Sequence, residues 1–91
     1  MEGLIVGAIV HFVIPAGRSM GQHRAAMITN IWDATNGTVD LTVFVDGSED
    51  GYPHTQPVVL FNGIPYSETQ ENRTWHWLES WPGPLPPTPP A

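Results

Sequence analysis

The apolar positions of this chain recur mostly at a spacing of two, the period of a β-strand with one face buried. The clearest case is residues 38–46, where Val39, Leu41, Val43 and Val45 alternate with Thr38, Asp40, Thr42 and Phe44. Residues 24–33 alternate too, placing Ala25, Met27, Thr29 and Ile31 on one face and Ala26, Ile28, Asn30 and Trp32 on the other. Between these runs lies Asn36-Gly37, the dipeptide favoured in type I′ hairpin turns. A first strand is predicted over 4–14, apolar on both faces, as in a strand covered twice or paired with another subunit. Residues 57–61 form a fourth strand, followed by a turn at 62–65. The segment 73–79 forms a fifth, with Trp75 and Trp77 on one face and Thr74, His76 and Leu78 on the other. Short strands separated by Gly, Pro, Asn and Asp clusters define an all-β domain. Five in about 80 residues predict a small SH3-like or OB-like barrel, with a small sandwich as the alternative.

The pattern changes after Ser80. Residues 82–90 include six prolines, a composition that excludes helix and central strand and favours polyproline II. The chain therefore divides into a domain at 1–80 and a Pro-rich arm at 81–91. The arm is read as a protein-interaction segment, with Trp81 as anchor and Pro84, Leu85 and Pro87 along it. His76 is grouped with this interface.

Composition narrows the function. With 91 residues the domain is small and its core marginal. It has no cysteine, so disulfides and Cys-based zinc sites are excluded. Oligomerisation remains as a source of stability. Three arginines, no lysine and nine acids give a net charge of −6, which disfavours duplex nucleic acid. The apolar stretch 4–14 is too short for a membrane-spanning helix and lacks the basic start of a signal peptide. An intracellular site without membrane association is expected.

Candidate chemistry is sparse. No Ser lies in a nucleophile elbow, and no phosphate-binding Gly motif is present; no catalytic residue is assigned and an enzyme is not expected. Asp46, Ser48, Asp50 and Gly51 match the opening of a calcium loop, but Pro57 stands where the bidentate glutamate belongs. A solvated acidic turn is the reading preferred. His11, His23, His54 and His76 include no pair at helical zinc spacing, so neither metal nor cofactor is expected. His11 is read as a core or interface residue. The loop around "GRSMGQHR" offers Arg18, His23 and Arg24 beside glycines, a candidate anion concavity in which Trp32, Trp75 or Trp77 would stack on a base. The competing reading is a solvent loop whose arginines pair with acids.

Three pieces in order, "GQHRAAMITNIWD" (21–33), "VDLTVFVDGSEDG" (39–51) and "IPYSETQENRTWHWLE" (64–79), resemble a group of small proteins of tailed bacteriophages and prophages. The most specific part is Thr-Trp-His-Trp. Arg73 stands where the family pattern has glycine and Leu78 where it has proline, and the arm lies outside the pattern. The resemblance implies viral origin and a compact β fold, without a mechanism. The expected function is a non-enzymatic, self-associating virion structural or assembly accessory protein, located in the virion or host cytoplasm and bound to its own copies or to other phage proteins. The alternative is an anti-defence sponge that sequesters a small anionic nucleotide signal through Arg18, Arg24, His23 and Trp32.

Overall fold

The computed structural model describes residues 1–52 and 56–78, without the side chains of Ser48 and Glu49. The arm, with Trp81, Pro84, Leu85 and Pro87, lies outside the described residues, as does His54. Five strands form one antiparallel sheet: β1 (Ile9–Val13), β2 (His23–Asp33), β3 (Thr38–Phe44), β4 (Val58–Ile64) and β5 (Trp75–His76). Their spatial order is β4-β3-β2-β1-β5. The only helical element among the described residues is a 3-10 turn at Gly47–Asp50. No described helix is long and apolar enough to cross a membrane.

The all-β class is as expected, but the barrel is corrected to an open sheet. β4 and β5 are its opposite edges. They approach through one isolated parallel bridge, Tyr66↔Trp75, reinforced by Trp75 N–H to Pro65 O at 3.1 Å and Ser67 N–H to Trp75 O at 3.0 Å. Closure would need a continuous ladder there, and β5 has only two residues to offer. Register shifts between Ile28 and Asn30, Ile31 and Asp33, and Val39 and Leu41 add the local bend and twist that bring the edges near each other.

The core lies on the inward face. Val10, Phe12, Ala26, Ile28, Val39, Leu41, Val43, Ile64 and Trp75 are all fully buried there. The alternation read in β3 is what is observed. Trp75 fills the end of this core, with its indole N–H donating to Gly37 O at 2.7 Å. An indole removed from water requires such an acceptor. Tyr66 and Trp77 meet the same ring edge-on, at centroid distances of 4.9 and 5.1 Å.

Several boundaries shift. The apolar segment 4–8 is not strand: Gly3 and Gly7 have positive φ, and the chain turns there. Leu4 and Ala8 pack on the core while Ile5 and Val6 are exposed. The β2–β3 connection is a four-residue loop instead of a two-residue turn. Gly37 N–H reaches Asp33 O at 2.7 Å, and the Asp33 carboxylate accepts the N–H groups of Thr35 and Asn36. β4 runs through Asn62-Gly63 where a turn was expected. Gly63, at φ 64°, absorbs the register shift opposite Val39–Leu41.

Candidate functional site

The outward face of the sheet carries the side chains that the core does not use. Register places Ile9 opposite Met27, Met27 opposite Thr42 and Thr42 opposite Leu60. These four residues make a straight row across β1, β2, β3 and β4. Beside it lie Ala25, opposite His11, and Phe44, opposite Val58. Leu60 is 71% exposed, and Ile9, Met27, Phe44 and Val58 are exposed as well. None of these positions bears a formal charge.

Polar groups border the row. Asp40 accepts hydrogen bonds from Gly63 N–H at 2.9 Å and from the Trp32 indole at 2.7 Å, with Asn30 more distant. The Gly63 bond and then the Trp32 bond hold its carboxyl below the usual range. Trp32 is exposed, its indole fixed over the β2–β3 ladder.

At the other end of the face the structure assembles a group that sequence spacing did not reveal. His11 on β1 lies opposite His76 on β5, and His23 at the start of β2 pairs with Val13, two residues along from His11. One ring nitrogen from each histidine lies within 4.8 Å of those from the other two. Ring centroids are 4.7 Å apart for His23–His76, 5.5 Å for His11–His76 and 6.0 Å for His11–His23. His76 is buried, while His11 and His23 are half-buried. His76 does face away from Trp75, as alternation requires. The signal available in the sequence was that His11 alternates with Val10 and Phe12, and His76 with the tryptophans. What joins them is the pairing of β5 with β1, across most of the chain.

The Gly/Arg loop is engaged internally. Arg24 binds Asp50 in a bidentate pair, Nε to Oδ2 at 2.8 Å and Nη2 to Oδ1 at 2.7 Å. Asp50 also accepts Asp46 N–H at 2.7 Å. The guanidinium bond, opposed by burial, pulls the Asp50 carboxyl from 3.8 to about 2. In the loop, Met20, Gly21 and Gln22 direct their N–H groups to the carbonyls of Gly17, Ile14 and Ser19. Arg18 is exposed. Trp32 is eight residues along β2 from Arg24, roughly 26 Å at strand rise. Trp32 is therefore not brought together with Arg24 and His23: His23 joins the other histidines, Arg24 holds Asp50, and Trp32 holds Asp40. Asp50, which matches the fifth position of a calcium loop, has both oxygens occupied.

The fold and its outward face define a small open-sheet β protein with an apolar, uncharged surface and a three-histidine group at one end. Among protein-family models, curated proteins and solved structures, none matches this chain.

Proposed function

We propose that this chain is a non-enzymatic protein-interaction module that self-associates through the outward face of its sheet, as a structural or assembly accessory subunit of a tailed phage. The observation that carries this reading is the Ile9–Met27–Thr42–Leu60 row. It is apolar and exposed at three of its four positions, uncharged, and bordered by Asp40, Asn30 and Trp32. A central patch without charge inside a polar rim is the anatomy of protein interfaces, and contiguous exposed apolar surface on a soluble chain marks a contact site. The four positions of the row carry no formal charge, so two copies can meet along it without opposing like charges within the row itself. Residues 81–91 add a second contact, with Trp81 as anchor, by the chemistry of proline-rich segments. Capture of a small anionic nucleotide draws no support from the Gly/Arg loop, where Arg24 and the backbone N–H groups of Met20, Gly21 and Gln22 are already engaged.

Light scattering after size exclusion tests the reading on the full chain, on residues 1–80 and on Leu60→Lys. The full chain is expected to be oligomeric, and Leu60→Lys, which places a charge at the β4 end of the row, to be monomeric with unchanged circular dichroism. The 1–80 chain is expected to associate more weakly. Monomers in all three would overturn the proposal. Undiminished association of 1–80 would remove the arm from the contact and leave the face.

A further inference from the structure

We propose that His11, His23 and His76 form a binding site for a late first-row divalent cation, of which Zn²⁺ is the probe of choice. Three adjacent strands each contribute one imidazole to the same face, and the ring nitrogens converge to within 4.8 Å. The side chains start from hydrogen-bonded ladders, His11 opposite His76 and His23 opposite Val13. Their backbone positions are therefore fixed before any ion arrives, and binding has only rotamers to settle.

The spacing suits coordination. Tetrahedral Zn²⁺ with bonds of about 2.0–2.1 Å holds its ligands about 3.3 Å apart. The rings have to close by roughly 1.5 Å at most, a change of side-chain torsion without backbone movement. An all-imidazole set selects zinc, copper, nickel or cobalt over calcium and magnesium, which take oxygen. Among the described residues the group contains no carboxylate or thiolate, so an ion held by these three imidazoles keeps its positive charge. Three protein ligands leave a tetrahedral ion one open position. His76 is buried, and Nδ1 of His11 and of His76 is withdrawn from solvent, which restricts access to that position. The site links the β5 edge strand to β1 and β2, so the ion acts as a clip on the shortest strand of the sheet.

The test uses the untagged full chain freed of metal with a chelator. Calorimetry with Zn²⁺ is expected to give one saturable site per chain, Co²⁺ to give the absorption of a tetrahedral ion, and Zn²⁺ to raise the melting temperature. His23→Gln and His76→Gln are each expected to weaken binding by ~10-fold or more and to remove the thermal shift. His23 is half-buried at the start of its strand, so His23→Gln decides the matter should His76→Gln fail to fold. Absence of saturable binding, or binding by His23→Gln equal to that of the parent chain, would overturn the site.

Discussion

Replacing Asp50 with asparagine tests whether the acidic loop is held in the fold by one ion pair. The Asp50 side chain is fully buried and that of Arg24 is 18% exposed. The bidentate bond with Arg24 draws the Asp50 carboxyl from 3.8 to about 2. At ~1.4 kcal/mol per decade this displacement is worth at most ~2.4 kcal/mol. Solvent around the exposed part of the guanidinium screens the pair and reduces the contribution to ~1–2 kcal/mol. The carboxyl is depressed in the folded chain, so its contribution is complete above the unfolded value near 4. It is lost as the pH falls toward 2. Asp50→Asn keeps the size of the side chain, removes the charge and leaves one oxygen to serve Arg24 and Asp46 N–H. At neutral pH the variant is expected to be less stable by ~1–2 kcal/mol, which is ~4–16 °C in Tm for a domain of this size. Urea unfolding followed by tryptophan fluorescence, in steps from about pH 7 to about pH 2.5, reads both effects. The gap between the two chains is expected to narrow below about pH 4. Contributions from Asp33, Asp40 and Glu71, also held low by hydrogen bonds, are common to both chains and cancel. A gap that stays constant across the series would refute the argument.

Two other substitutions probe the joint between β5 and the β2–β3 loop. Trp75→Phe deletes part of a fully buried ring and leaves Gly37 O without its donor, so a loss of ~2–4 kcal/mol is expected in chemical denaturation; a loss below ~1 kcal/mol would show that the ring contributes little. Gly37→Ala puts a methyl group 2.9 Å from Tyr66 Cβ at φ 82°, and left-handed backbone alone costs a non-glycine residue ~1–2 kcal/mol. A fall in Tm is expected, and an unchanged melting curve would contradict the crowding at that turn.

The parts of this structure legible in the sequence are those governed by neighbours in the chain. The alternation in β3 identified Val39, Leu41 and Val43 as core because each faces the same side as the residue two positions on. Asn62-Gly63 was misread because the local preference of that dipeptide for a turn is satisfied equally by a bulge inside a strand. The run 4–14 was read as one strand because hydropathy does not register the backbone reversal at Gly7. The three histidines were legible one at a time, through alternation. Their meeting depends on which strand takes the free edge of β1, a choice fixed by packing of Trp75 on the core and not by any spacing within the chain.

The place of β5 also governs the order in which this chain can assemble as it is synthesised. The β2–β3 hairpin is local and can pair as soon as residue 44 emerges. β1 then gains one neighbour, yet its other edge and the end of the core stay uncovered. Trp75 is the ring that covers them, Trp77 Cη2 reaches across to within 3.9 Å of where a Cβ on Gly3 would sit, and both follow β1–β4 in the chain. The nascent chain therefore carries an incomplete sheet with an open edge until Trp75 and His76 have left the ribosome. Its exposure to wrong partners is set by the time taken to translate the residues between β1 and β5.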